Sequence, residues 1–381
     1  MQIKILVETS VRKDDPFTGL EYHRQVIPAI HLATNYEGYT INLCGNIAEV
    51  SDEALKDYNL VCFLRLIDRT SCKVDTTTEK VERVHKAGGK VVIDIDDLWD
   101  LHPNHELNQL YKDDNIAHRT ISSLKAADWV TTTTEYFANV IREYNPNVTV
   151  LPNSIDTSVP QFQPEPTESE RVRFGWIGGV YHVPDIRMMY ESFKKLWKGK
   201  TNDFQLCLGG FNPNPAYLFL EKIFTDDMKN PKNPFYLEYL KSMTDQDKNI
   251  MDGQPYKRLW GKDVETYATL YNEIDVALVP LVGNRFNNCK SQIKIIEAGF
   301  FKKACIVSNT MPYSIDCTKD NSILINQTKD NLGWYDAIRH LLHNRNRIED
   351  LGEAMHETVK DKYNMETVNK VRHYLYQRLC E

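Results

Sequence analysis

Along the whole chain, short runs of β-branched and other apolar residues alternate with stretches whose apolar residues recur at helical spacing. That alternation predicts parallel sheets with helices on both faces, because a parallel connection has to cross over and a helix usually makes the crossing. In the first series the expected strands are Ile3–Val7, Thr40–Leu43, Leu60–Leu64, Lys90–Ile95, Trp129–Thr132 and Thr149–Leu151. A second series follows at Val172–Ile177, Phe204–Leu208, Lys257–Trp260, Val276–Pro280, Ala304–Val307 and Ser322–Ile325. Between them, Pro160 to Glu170 is polar, Pro-rich and without periodicity, which reads as a linker. At 381 residues the chain is too long for one ordinary core and suits two domains. The stretch from Phe211 to Tyr256 is long, aromatic and broken by Pro and Asn, so it reads as an insertion forming a helical lobe of its own, with Phe224 and Tyr217–Leu220 burying against their domain. The chain ends in a helical pattern over Met365–Leu379.

Composition narrows the classes of function. No run approaches the ~18 apolar residues of a membrane span, and the first ten residues turn polar too soon for a signal peptide. Eight cysteines form no C-x-x-C pair and have no histidine at zinc-ligand spacing, which suggests reduced thiols in a cytoplasmic protein. The net charge of −7 is uneven: residues 1–160 carry 16 basic against 24 acidic side chains, which argues against a broad phosphate-tracking surface there. No Ser/His/Asp triad, Walker sequence or zinc motif is present.

In a doubly wound domain ligands bind in loops at the carboxyl ends of strands, so chemistry is sought there. After the strand ending at Pro280 comes a polar loop and then a helix expected to be capped by Ser291. A helix N-terminus with Lys290 and Lys294 nearby suits a phosphate, and Glu297, on the same face as Lys294, suits a ribose diol. The same pattern also fits a capped surface helix with an ordinary Lys–Glu pair. Asp94, Asp96 and Asp97 cluster at another strand end, with Asp94 and Asp96 on one face by alternation. Such a cluster raises a pKa and makes a general base, holds a divalent cation, or simply caps the following turn. Gly178 and Gly179 let backbone amides approach a diphosphate; His182 follows within reach, and Asp185 reads as a helix cap. His23 and Arg24 open the first helix and face either an acceptor or solvent.

The run Phe286-Asn-x-x-Lys290-Ser291-x-x-Lys294-x-x-Glu297-Ala298 resembles the donor-binding signature of one branch of the GT-B glycosyltransferases similar to family 4. Val150-Leu-Pro-Asn-Ser-Ile-Asp156 resembles their interdomain turn, and Phe174-Gly-Trp-Ile-Gly-Gly179 the glycine-rich turn opening their second domain. The matches run in order from about 150 to 310; the first half matches more loosely, through Gly19-Leu-Glu-Tyr-His-Arg24 and Ala127–Thr132. One position departs: the first of the family's two glutamates, eight residues apart, would fall at Cys289, and a thiol is no carboxylate acceptor.

The resemblance implies an α/β fold of GT-B type, two doubly wound Rossmann-like domains facing a central cleft. Residues 1–158 would be the acceptor domain, with 365–381 crossing back to it, and 171–364 the nucleotide-sugar domain with an insertion at 211–256. It implies transfer of a sugar from a nucleotide-sugar donor to a hydroxyl acceptor with retention, with no cofactor and no protein-bound metal. Donor binding then falls to Gly178, Gly179, Arg258, Lys290, Ser291, Lys294 and Glu297, catalysis to Asp94, Asp96, Asp97 and His182, and the acceptor side to His23 and Arg24. The acceptor stays open between a glycan, a lipid, a protein and a hydroxylated DNA base of the viral kind. A non-catalytic sugar-nucleotide-binding protein is the alternative that Cys289 keeps in play.

Overall fold

The computed structural model describes residues 2–9, 17–69, 75–103, 105–179, 181–199, 201, 203–233, 236–244 and 255–381. Contacts divide the chain into two compact units: Met1–Asp156 with Asn284–Ser291 and Tyr363–Glu381, and Thr157–Gly283 with Gln292–Lys362.

In the first unit six parallel strands, β1 (Ile3–Glu8), β2 (Tyr39–Cys44), β3 (Leu60–Leu64), β4 (Lys90–Ile95), β5 (Trp129–Thr132) and β6 (Val148–Val150), lie in the order β2-β1-β3-β4-β5-β6. Strand order reverses between β1 and β3, which makes the carboxyl ends of those strands the place for a ligand. β3 is buried at all five positions, as expected of a strand covered on both faces. One face is covered by Val81, Val84, Leu124, Phe137 and Ile141 from three helices. On the other, Leu32 and the last helix, Met365–Cys380, meet Ile3, Ile5 and Val7 through Leu375, Tyr376 and Leu379. Phe286 and Cys289 pack into this unit's core, so residues 284–291 cluster here and not with the later segment in which the sequence reading placed them.

The second unit repeats the plan. β7 (Val172–Ile177), β8 (Phe204–Phe211), β9 (Tyr256–Trp260), β10 (Val276–Val279), β11 (Ala304–Ser308) and β12 (Ile323–Ile325) are ordered β12-β11-β10-β7-β8-β9, all parallel, reversing between β7 and β10. The expected insertion resolves differently from an independent lobe. Helix Pro215–Met228 is the crossover from β8, and Tyr217, Leu220, Phe224 and Met228 belong to the same core as Phe193 and Phe204. A second helix, Tyr236–Thr244, leaves Leu237 and Leu240 exposed, while residues 234–235, which include the aromatic Phe235, and 245–254 lie outside the described residues.

The Pro-rich stretch is not a loose linker. Gln161 and Phe162 are buried, Gln161 donates to Val264 O and accepts from Ala268 N, and Asn272 holds the backbone of Glu165 and Thr167. Arg173 completes the anchor by donating to Thr167 O while paired with Asp275. No described helix is long and apolar enough to cross a membrane.

Candidate functional site

On the first unit, the helical run over residues 19–35 starts with a capping box between Thr18 and Glu21. Its middle, Tyr22–Val26, winds wide, with Ile27 N reaching Tyr22 O. Pro28 has no N–H to continue the regular ladder, so the winding loosens just before it. This segment carries His23, Arg24 and Gln25 and buries Arg24 to 4 % exposure. Arg24 grips Asp94 with two bonds, Nε to Oδ1 at 2.8 Å and Nη2 to Oδ2 at 2.6 Å, and Nη1 donates to Leu151 O and Asn153 Oδ1. Strand register places Thr131 beside Asp94, where its hydroxyl donates to Oδ2 at 2.6 Å. Asp94 is thus a fully hydrogen-bonded buried carboxylate in an ion pair. Asn153, from the interdomain-turn motif, passes the network on by donating to Ser291 Oγ at 2.8 Å.

Asp96 and Asp97 lie just past β4 and differ. Arg65 binds Asp96 through Nε at 2.6 Å and Nη2 at 2.9 Å, and Asp97 through Nη2 at 2.6 Å. Lys290 Nζ adds a bond to Asp97 Oδ1 at 3.2 Å and lies over the Phe286 ring. Burial, helped by Asp97, raises the Asp96 carboxyl against the lowering pull of Arg65. The sequence reading missed Arg65, whose only mark is one charged residue after five apolar ones. Its φ of +64° puts a non-glycine residue in the left-handed region, the kind of strain that concentrates at functional sites.

His23 does not supply a cation. Burial, then the neighbouring Arg24, lower its imidazole to about 4, so the ring is neutral near pH 7.

On the second unit, Lys294 Nζ donates to Ile177 O at the end of β7 and lies 5.4 Å from the Trp176 ring centre. Gly178 is required here, since a Cβ would fall 2.5 Å from that ammonium and 2.9 Å from Trp176. Tyr217 donates its hydroxyl to Gly178 O, so the crossover helix supports this turn; a Cβ on Gly179 would meet nothing within 4 Å. Gly178-Gly179 and Lys294 therefore converge at the carboxyl end of β7, beside the point where strand order reverses.

His182 Nδ1 meets Asp185 Oδ2 at 2.8 Å, and Asp185 Oδ1 accepts from Val282 N at 2.7 Å. Asp185 therefore ties the loop after β7 to the loop after β10 and is not the expected cap; His182 itself occupies the cap position of Val183–Arg187. Nor does Ser291 cap the helix Ile293–Phe300; Gln292 stands at the cap position and makes no capping bond with its side chain. Glu297 is buried and accepts from the hydroxyls of Tyr267 and Tyr271, the latter at 2.9 Å. Burial raises this carboxyl while the two tyrosines and Lys294 lower it. These tyrosines, four residues apart in a short 3-10 segment, were missed because such spacing is common in any helical face.

Two expected residues have other work. Arg258 is 6 % exposed and held by Glu221 through Nε at 2.8 Å and Nη2 at 2.5 Å, a pair that Tyr256 joins by donating to Glu221. It ties β9 to the crossover helix. Cys289 is fully buried and its thiol is pushed up to about 12, mainly by burial, so it is a neutral packing residue at the position where the family glutamate would fall.

No family model matches this sequence, and no curated protein matches it. Solved structures do match over essentially the whole chain. Sucrose-phosphate synthase from Thermosynechococcus elongatus superposes with a TM-score of 0.67 at 14 % identity, covering 100 % of this chain and 99 % of that one. Anabaena HepE in complex with UDP gives 0.62 at 11 %, covering 99 % and 100 %. An alpha-glucosyltransferase in complex with UDP and a 13-mer DNA gives 0.62 at 14 %, covering 99 % and 100 %. The fold is GT-B. At such identities the likeness speaks for fold alone, so the GT-B chain's activity rests on its own residues.

Proposed function

We propose that this GT-B chain is a glycosyltransferase that moves a sugar, with retention, from a uridine-diphosphate donor to a hydroxyl acceptor. The observation that carries the reading is the convergence of the Lys294 ammonium on the Gly178-Gly179 turn at the switch point of the second unit, with the buried acceptor Glu297 one helical turn away. As the bond between sugar and diphosphate breaks, negative charge grows on the leaving phosphate. Lys294 and the backbone of the glycine turn stabilise that charge. Glu297, oriented by Tyr267 and Tyr271, takes the ribose hydroxyls. His182, oriented by Asp185, serves the reacting end of the donor. No protein-bound metal is needed in this scheme, because Lys294 and the glycine turn supply the positive charge.

On the acceptor side, Asp96 is the base of choice. Its raised pKa brings it nearer the working pH, whereas Asp94 is held by Arg24 and Thr131 and acts by positioning. That HepE and the alpha-glucosyltransferase were solved with UDP supports the choice of nucleotide.

The test is direct. Thermal melts of the full chain with UDP, ADP, GDP and TDP should show stabilisation by UDP, and incubation with UDP-glucose should release UDP slowly even without acceptor. If no nucleoside diphosphate shifts the melt and none is released, the transferase reading is wrong. Binding without release would instead favour a non-catalytic sugar-nucleotide-binding protein. The DNA complex of one fold relative makes a hydroxylated DNA base the second acceptor reading. A steep loss of acceptor binding between 50 and 200 mM salt, on the order of tenfold or more, would favour it.

A further inference from the structure

Inside the first unit lies a small cavity of about 30 Å³ between the helical run over 19–35, the sheet and the last helix. Its lining includes Arg24, Gln25, Cys62, Asp94, Arg372 and Tyr376. That is room for a small occupant such as a water molecule or a small ion.

The charges around it do not balance. Arg24 is neutralised by Asp94, whose oxygens are also taken by Thr131. Arg372 is 4 % exposed, donates only to Asn369 Oδ1, and forms no ion pair with any described carboxylate. A buried guanidinium without a counter-ion is strongly disfavoured. The Asp94 carboxylate, whose field also reaches Arg372, is taken up by Arg24 and Thr131, and the cavity's other polar side chains include donors. Gln25 is buried with both its amide nitrogen and its amide oxygen unpartnered, and its NH₂ group offers two hydrogens. The Tyr376 hydroxyl, whose closest described partner is Cys62 Sγ at 3.8 Å, offers another. Water would satisfy hydrogen bonds here and leave the charge uncompensated, whereas a small anion does both.

We infer that this cavity is a buried binding site for a monovalent anion of halide size, held by Arg372, Gln25 and Tyr376. The site is independent of the transferase reading, since none of these three residues belongs to the proposed donor or acceptor groups.

Crystals of the full chain grown in sodium bromide should show an anomalous peak at the bromine edge inside the cavity. An ordered water there, with no anomalous signal, overturns the assignment. In solution, the melting temperature in sodium bromide should exceed that in sodium gluconate at equal ionic strength by on the order of 2 °C, because gluconate cannot enter. Arg372→Met should abolish that difference, and if this variant does not fold, Gln25→Leu should reduce it by filling the cavity and removing a donor. A difference that survives in the folded variants, or that is absent from the unmodified chain, overturns the proposal.

Discussion

Arg24 and Arg65 each answer an aspartate at the carboxyl end of β4, yet the two clusters are built differently. The Arg24 and Asp94 side chains are 2 % and 10 % exposed, whereas Arg65, Asp96 and Asp97 are 33 %, 16 % and 22 % exposed. A sealed pair must have every lone pair and proton satisfied, because desolvation otherwise exceeds the Coulombic gain. Arg24 meets that demand by adding Leu151 O and Asn153 to its bonds with Asp94. The second cluster shares one arginine between two carboxylates and adds Lys290, in a partly open place where a partner can be exchanged for a ligand. The difference separates a group that holds the loops in place from a group that can meet a substrate.

The largest effect expected from breaking this contrast is on stability. Asp94→Ala leaves Arg24 buried without its carboxylate, at a cost of about 3–5 kcal/mol, which lowers the melting temperature by roughly 10 °C. Asp96→Asn should barely move the melt, because its site is partly open. It should instead depress sugar transfer by about 10²–10³-fold while leaving UDP affinity within about twofold, as read by single-turnover kinetics and calorimetry. If Asp94→Ala leaves the melt unchanged, or Asp96→Asn unfolds the chain, the two clusters have been assigned the wrong way round.

How much of this was legible in the sequence depended on whether the signal was local. The twelve strands among the described residues were readable because a buried parallel strand is a short apolar run bounded by turn residues, and the observed ends differ by no more than three residues, at Phe211 of β8. Asp94, Asp96 and Lys294 stood out because their neighbours along the chain are strand ends or a helix start. Arg65, Tyr267 and Tyr271 did not, since each acquires its partner only through the fold; Tyr271 lies 26 residues from Glu297. The Pro-rich segment misled for the same reason. Its anchor, Asn272, is more than a hundred residues away, and nothing in the composition of 160–170 records that contact.

The contrast sharpens further when the open cluster is set against Lys294 on the second unit. Lys294→Ala removes a charge-assisted phosphate contact while the Tyr267 and Tyr271 hydroxyls still hold the buried Glu297, so the fold should persist. UDP affinity should fall by about 1.5–3 kcal/mol, roughly 10–150-fold, in a calorimetric titration. Lys294→Arg should recover little of it, because the ammonium occupies the space that Gly178 keeps clear and a planar guanidinium does not fit there. Undiminished UDP affinity in Lys294→Ala would remove this residue from the donor site.

The smallest effect concerns His23, the neighbour of the sealed Arg24. Its pKa is about 4 in the folded chain, lowered by burial and by Arg24, against an ordinary value near 6.5. Above pH 6.5 the ring is neutral in both the folded and the unfolded chain and contributes no pH dependence. Between pH 6.5 and 4 the unfolded chain binds a proton that the folded chain refuses, so stability falls as the solution is acidified through that window and levels off below it. Allowing for solvent screening of a ring that is not wholly enclosed, the loss is on the order of 1–2 kcal/mol. His23→Gln, which cannot take up the proton, should flatten this part of the stability profile in urea melts at pH 7 and pH 4.5 while leaving the Arg24–Asp94 pair intact. An unchanged slope would mean that His23 is solvated enough to protonate normally, and that the sealing around Arg24 stops short of its nearest neighbour in the chain.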